Sequence, residues 1–165
     1  MTLSNRQRVG EALDLLTEGL RPYVERQLRR VYGGRWVVEA STVTRRELIE
    51  APDGKSAEGW DAKSLLDAIE RRWSEVFSAS VGKYERGFVG ILNELRNAWA
   101  HNEPFDTNRT IRVLDSVEEL LKSVGSDKVV DIQRQRSDLN RDRESEQRRN
   151  VTRRASSAAI EGEVP

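Results

Sequence analysis

Cysteine is absent from this sequence of 165 residues. Its absence excludes disulfide bonds, zinc sites with thiolate ligands and catalysis by a thiol. Only one histidine is present, and no clustered Asp-x-Asp pattern accompanies it, so we expect no metal site and no cofactor. Apolar runs are short, and none approaches the ~20 residues of a membrane span. With no signal-peptide pattern either, the sequence predicts a cytoplasmic protein without a membrane segment.

The motifs of several common enzyme classes are missing as well. The stretch Tyr32-Gly33-Gly34 lacks the lysine and the following helix of a phosphate-binding loop, and no Gly-x-Ser-x-Gly elbow occurs. The formal net charge is +0, so a basic surface for nucleic acid would have to be local. Charged residues make up 34% of the chain and hydrophobic residues 36%. This balance indicates a modest core joined to a solvated extension.

Helical periodicity is what the sequence does contain. Ser4 or Asn5 can cap a first helix, or a kinked helical hairpin, over about residues 5–32, with Pro22 inside it and Gly33 at its end. Residues 35–40 fit either a short strand or a helical turn. Residues 44–50 predict a short helix, and the composition of residues 51–59 predicts a loop.

Three further amphipathic helices are predicted downstream. The first is capped by Asp61 and should end near Ser80, with an apolar stripe at Leu65, Ile69, Trp73, Val76 and Phe77. The second begins after Gly82 and ends before Pro104. Its predicted apolar face consists of Tyr84, Phe88, Ile91, Leu92, Leu95 and Trp99, with Val89 and Arg96 at the edge. Asp106 or Thr107 caps the third, whose apolar residues are Ile111, Leu114, Val117, Leu121 and Val124. The loop before the third helix is short, which predicts that it is antiparallel to the second.

From residue 126 the composition shifts towards charged residues. Beyond Asn140 apolar residues are too sparse to offset the entropy of ordering the chain. The prediction is therefore an all-α fold, a bundle of four or five helices over residues 3–125. Residues 126–165 form a charged extension, either a solvated helix that frays into disorder or a linker. Over residues 141–154 arginines outnumber carboxylates: Arg141, Arg143, Arg148, Arg149, Arg153 and Arg154 against Asp142, Glu144 and Glu146.

The only histidine, His101, lies near the predicted end of the second of these helices, five residues after Arg96. On an ideal helix this spacing separates the two side chains by about 140° and ~7.5 Å along the axis. They therefore diverge, whereas Asn97 and His101, four apart, are neighbours. A purely structural interpretation is also open: Arg96 could form an inter-helix salt bridge or extend its charged head to solvent, and His101 could be favoured by the helix dipole.

The segment Arg96-Asn97-Ala98-Trp99-Ala100-His101 resembles the Arg-x4-6-His motif of the HEPN superfamily (higher eukaryotes and prokaryotes nucleotide-binding domains). The polar Asn97 directly after the arginine fits that pattern too. Residues 3–28 and 96–105 are similar to the Swt-type HEPN module found at the head of large prokaryotic ATPases, some of them linked to phage defence. The resemblance covers roughly residues 3–125.

The resemblance implies a HEPN-like bundle of four or five helices that forms a homodimer with the two motif helices facing each other. It further implies a metal-independent RNA endonuclease, in which Arg96 and His101 are the catalytic pair and Asn97 the supporting polar residue. A composite site of this kind would draw on both chains, which would accommodate the divergence on one helix. RNA is then the expected substrate, and a larger ATPase or defence system the expected partner.

Two alternatives to the nuclease remain. Many members of the superfamily are binding or dimerisation modules without catalysis, and a plain helical adaptor could touch nucleic acid through its basic tail. The tail lacks the interleaved aromatic residues that stack on bases. One departure from some HEPN toxins is Glu103, which occupies the position of a tyrosine that carries a nucleotidyl group, so that regulation is not implied here.

Overall fold

The computed structural model describes residues 3–41 and 57–162. These residues contain no strand, and the prediction of an all-α fold is confirmed. The predicted helix at residues 44–50 and most of the predicted loop at residues 51–59 lie outside the described residues. The helices are α1 (Asn5–Tyr32), α2 (Trp36–Ser41), α3 (Ala62–Arg71), α4 (Lys83–Ala100), α5 (Thr107–Ser123) and α6 (Val129–Gly162).

Helix α1 is one continuous helix rather than a hairpin, with Pro22 in its interior. Its first turn is closed by a capping box: the Ser4 hydroxyl accepts from the Gln7 amide, and the Gln7 side chain accepts from the Ser4 amide. Gly33 ends the helix with a positive φ of 61°, which glycine adopts without steric cost. A 3-10 turn follows and leads into α2, so residues 35–40 take the helical alternative.

Four helices form the bundle. Helix α1 packs against α3 and α5, and α4 packs against the same two helices from the other side. Apolar side chains fill the centre, and removing such area from water is the main stabilising term of a bundle. Fully buried examples from the four helices are Leu16, Leu20, Leu65, Ile69, Leu92, Leu114, Val117 and Leu121.

The predicted helix that is capped by Asp61 does not continue as an α-helix to Ser80. Helix α3 ends at Arg71, and a π-helical turn spans Trp73–Phe77. Val76 and Phe77, both within this π-turn, are buried in the core. The indole Nε1 of Trp73 donates to the Val81 carbonyl at 2.6 Å. The caps on either side are as predicted, with Asp61 before α3 and Gly82 before α4.

The apolar face predicted for α4 is wrong at its start. Tyr84 is 73% exposed and Phe88 is only half-buried, whereas Val89, predicted at the edge of the face, is completely buried. Helix α4 is covered by α3 on one side and by α5 on the other. The centre of its buried face therefore lies closer to Leu92 than the spacing of its apolar residues predicts. Tyr84 and Phe88 instead form an edge-to-face pair at 5.2 Å on the surface.

Helix α6 packs on α5 and α1 over about its first four turns. Ile132 and Leu139 are buried there, and Arg136 lies 2.6 Å from Oε1 of the buried Glu118 on α5. After Asp142, residues 143–157 are exposed on every side. Buried residues therefore extend past the predicted boundary at residue 125, and the assignment of residues 126–165 to a separate extension stays a prediction.

Candidate functional site at the end of helix α4

The residues of the Arg-x4-6-His motif lie on the last turn of α4 and directly after it. Helix α4 ends at Ala100, and His101 is its C-cap, with its amide bonded to the Asn97 carbonyl at 3.0 Å. Asn102 then has a positive φ of 59°, a left-handed conformation that asparagine tolerates better than most residues. The chain turns away here, and Asp106 caps α5 by accepting from the Arg109 amide at 2.7 Å.

The end of α4 is attached to the first turn of α1 through Arg6. The Arg6 guanidinium donates to the Trp99 carbonyl and to Oδ1 of Asn102, each at 2.9 Å. It also lies 5.0 Å above the Trp99 ring, a cation–π contact. In return, the Trp99 indole donates to the Arg6 carbonyl at 3.2 Å. Hydrogen bonds to a helix far away in sequence therefore hold residues on both sides of His101: Trp99 through its backbone and indole, and Asn102 through its side chain.

Three further contacts hold the loop after His101. The side-chain amide of Asn5 donates to the Phe105 carbonyl at 3.0 Å. Arg109 donates to the Pro104 carbonyl at 3.1 Å, and its guanidinium lies 4.7 Å above the Phe105 ring. The loop after His101 is consequently held to α1 and α5 by tertiary contacts.

Arg96 lies on the side of α4 that faces α3. Its side chain is 25% exposed, and its guanidinium is 3.3 Å from Oδ2 of Asp61. The other oxygen of Asp61 caps α3 by accepting from the Ser64 amide and hydroxyl. Arg96 therefore forms the inter-helix salt bridge that the structural interpretation allowed, while the guanidinium still reaches solvent.

Asn97 and His101 lie on a different side of α4, half-buried and exposed respectively. Among residues 3–41 and 57–162, neither side chain makes a hydrogen bond or an ion pair. The divergence of Arg96 from His101 follows from their positions: the arginine turns to α3, and the histidine turns to solvent. Within one chain, the structure brings Asn97 and His101 to one surface and joins Arg96 to Asp61.

The surface that Asn97 and His101 share continues down α4 through two glycines, Gly87 and Gly90. On a helix, Gly87, Gly90, Asn97 and His101 lie within about 80° of one another. A methyl group added at Gly87 or Gly90 would have no atom within 4 Å. We call these four residues together with Glu94 the glycine face. It leaves the α4 backbone open to close approach by another helix.

The motif and the bundle that carries it match one known family. The family model described as Swt1-like HEPN matches residues 11–125. The chain belongs to the Swt1-like HEPN family. The matched region contains α2 to α5 and all but the first turns of α1, so the HEPN domain here is the four-helix bundle with the motif on α4. Searches of curated proteins and of solved structures gave no significant match.

Two further features bear on what this HEPN domain could bind. No group of three or more histidine, aspartate or glutamate residues in residues 3–41 and 57–162 is arranged to hold a metal ion. In the same part of the chain, no helix is both long and apolar enough to span a membrane.

Sequence reasoning found the HEPN motif residues but missed the residues that support them. Asp61 was recognised as a cap, yet its contact with Arg96 joins residues 35 positions apart. Nothing in the sequence indicated the contacts of Arg6, because its partners Trp99 and Asn102 lie more than 90 positions away. The spacing of apolar residues predicts which residues share a face of one helix, but it does not predict contacts between helices.

Proposed function

We propose that this chain is a metal-independent endoribonuclease that acts as a homodimer and cleaves RNA through the RNA's own 2′-hydroxyl group. The observation that carries the proposal is the position of the motif on α4: Asn97 and His101 are accessible and unpaired within the described residues, next to the open glycine face. Membership of the HEPN family supports the same assignment.

Each motif residue has a chemical role in this reaction. A histidine exchanges protons near neutral pH, so His101 can take the proton of the 2′-hydroxyl or give one to the leaving 5′-oxygen. Arg96 can hold the scissile phosphate and stabilise the charge that develops on it. Asn97 can orient the imidazole or a phosphate oxygen. The products are a 2′,3′-cyclic phosphate and a 5′-hydroxyl.

The salt bridge to Asp61 is compatible with phosphate binding by Arg96. A guanidinium has five N–H donors in a planar fork, and the contact with Asp61 engages one nitrogen, Nη2. The remaining donors are available, and Asp61 fixes the direction in which the fork points. Asp61 is thus a positioning residue in the proposed site.

A second copy of the chain is part of the proposal because Arg96 and His101 diverge within one copy. If two α4 helices meet along their glycine faces, the Asn97 and His101 side chains of both copies enter one cleft. Glycine lets helix backbones approach closely because it has no side chain to keep them apart. In the proposed composite site, His101 of one copy acts together with Arg96 of the other, and because Arg96 lies on the α3 side of α4, the arginine would reach the phosphate from the rim of the cleft.

The decisive experiment is an RNA cleavage assay in excess EDTA. Purified wild-type protein, His101→Ala and Arg96→Ala are incubated with end-labelled RNA, and the products are tested for a cyclic phosphate. We expect cleavage by the wild type only. Equal background cleavage by all three proteins would overturn the proposal. Mixing the two variants adds a sharper test, since a composite site drawing on both chains should regain part of its activity in the mixed dimer.

The wider role we propose is phage defence or RNA surveillance alongside a larger ATPase. Its test is the survival of cells that carry the wild-type chain or His101→Ala during phage infection. Protection by the wild type alone would support the defence role. Retention of a dimer without any cleavage would instead favour a dimerisation or RNA-binding module.

A further inference from the structure

The exposed second half of α6 combines three properties that the HEPN motif does not account for. Residues 143–157 are exposed on every side, so no apolar contact holds this part of the helix to the bundle. Residues 147–157 contain no carboxylate and four arginines. Of these, Arg149, Arg153 and Arg154 make no ion pair among the described residues, whereas Arg148 lies 3.6 Å from Glu144.

The direction of α6 places these arginines at the same end of the bundle as His101. Arg8 on the second turn of α1 is buried, at 4% exposure, and forms an ion pair with Asp142 of α6. Two residues earlier on α1, Arg6 binds the end of α4. Because α6 starts beside the middle of α1, where Lys128 lies 3.5 Å from Glu18, and then passes Arg8, it runs towards and past the beginning of α1. At 1.5 Å per residue, Arg154 lies about 18 Å beyond Asp142.

We infer that residues 143–157 of α6 form a binding surface for the phosphate backbone of RNA, which guides the strand towards the motif end of α4. This inference rests on the proposed function for the identity of the ligand. Unpaired, exposed arginines within one segment of α6 attract a polyanion, and RNA offers them regularly spaced phosphates. The segment has no aromatic residue to stack on bases, so the contact should be tolerant of sequence.

The test compares two variants of the full chain that lose the same number of charges. The first carries Arg149→Gln, Arg153→Gln and Arg154→Gln. The second carries Arg26→Gln, Arg30→Gln and Arg35→Gln, which are exposed residues on and just after the far end of α1. Glutamine keeps helix propensity close to that of arginine, and circular dichroism checks that both variants fold.

Binding of a labelled single-stranded RNA is measured in a His101→Ala background at several salt concentrations. For the α6 variant we expect a Kd raised about tenfold at low salt and a slope of log Kd against log salt smaller by about 2, from three lost phosphate contacts. The α1 variant should stay within about twofold of its parent. Equal shifts in both variants, no shift in the α6 variant, or no RNA binding by the parent would each overturn the inference.

The same variants in the otherwise wild-type chain separate this inference from the proposed nuclease. If the protein cleaves RNA, the α6 variant should show a raised KM with an unchanged kcat. If it cleaves nothing but the α6 variant alone loses binding, the nuclease is wrong and the α6 surface stands. If cleavage occurs and the α6 variant has the parent's Kd and KM, the α6 surface is wrong and the nuclease stands.

Discussion

The Arg96 guanidinium of α4 lies 3.3 Å from Oδ2 of Asp61, the residue whose other oxygen caps α3. One carboxylate thus joins the start of one helix to the motif arginine of another. The arrangement makes Asp61 a test of whether Arg96 has a structural role alone or also a catalytic one.

Substitutions at Asp61 should separate its two contacts. Asp61→Asn keeps a good cap but loses the charge, so its free energy of unfolding should fall by less than about 1 kcal/mol, as for an exposed ion pair. Asp61→Ala also loses the cap and should cost about 1–2 kcal/mol. Urea unfolding measures both values. Under the proposed function, Asp61→Asn should retain measurable RNA cleavage, and its complete loss would show that Arg96 needs the carboxylate.

The glycine face should control the oligomeric state. Gly90→Arg adds a large charged side chain to a position with open space around it, so the chain should fold but remain monomeric and fail to cleave RNA. Gly90→Ala, the matched control, should raise the free energy of unfolding by about 0.5–1 kcal/mol. Light scattering measures the mass of each variant. A dimer that persists in Gly90→Arg would show that the copies meet elsewhere.

Arg6 should affect catalysis without touching the substrate. In Arg6→Gln, the Trp99 carbonyl and the Asn102 side chain lose their donor and Trp99 its cation–π contact, which loosens the backbone around His101. We expect a lower kcat with little change in KM, and a loss of roughly 1–2 kcal/mol in unfolding free energy. Arg6→Lys should recover part of the kcat, because lysine retains the charge. A KM effect alone would contradict a positioning role.

Glu118 should make stability depend on pH. Burial alone would raise the pKa of Glu118, but hydrogen bonds from Lys122 and Gln133 and the charge of Arg136 outweigh it and hold the pKa below its ordinary value of 4.5. A depressed carboxyl pKa stabilises the folded state above the ordinary value, and this contribution disappears as pH falls through the folded-state pKa. Glu118→Gln should therefore lower the free energy of unfolding at pH 7 by about 1–3 kcal/mol.

The control for Glu118 is its neighbour Glu119, which makes no hydrogen bond or ion pair within the described residues. Glu119→Gln should change stability by less than about 0.5 kcal/mol at any pH. The difference in unfolding free energy between wild type and Glu118→Gln should become smaller when urea unfolding is repeated at a pH below 4.5, the ordinary pKa of the glutamate carboxyl. If this difference in unfolding free energy stayed constant with pH, the carboxylate charge of Glu118 would not be what joins α5 to α6.

Helix positions and helix ends could be predicted from the sequence because the interactions that set them join residues a few positions apart. A side-chain cap such as Asp61 binds amides within its own first turn, and a glycine such as Gly33 ends a helix through its own φ angle. The rotation of α4 about its axis could not be predicted in this way. Tyr84 was expected on the buried face but is exposed, and Val89 was expected at its edge but is completely buried. The reason is that α3 and α5 together decide which side of α4 is covered.

The sequence by itself determined the helical class and the caps, and it singled out Arg96, Asn97 and His101 as a predicted site and the arginines of residues 141–154. All of these depend on residue type and on spacing of a few positions. Only the tertiary structure decided that Arg96 pairs with Asp61, that Arg6 holds the backbone around His101, and that α6 carries its arginines past the motif end. These relationships join residues 35 to 134 positions apart, and such contacts arise only when whole helices pack together.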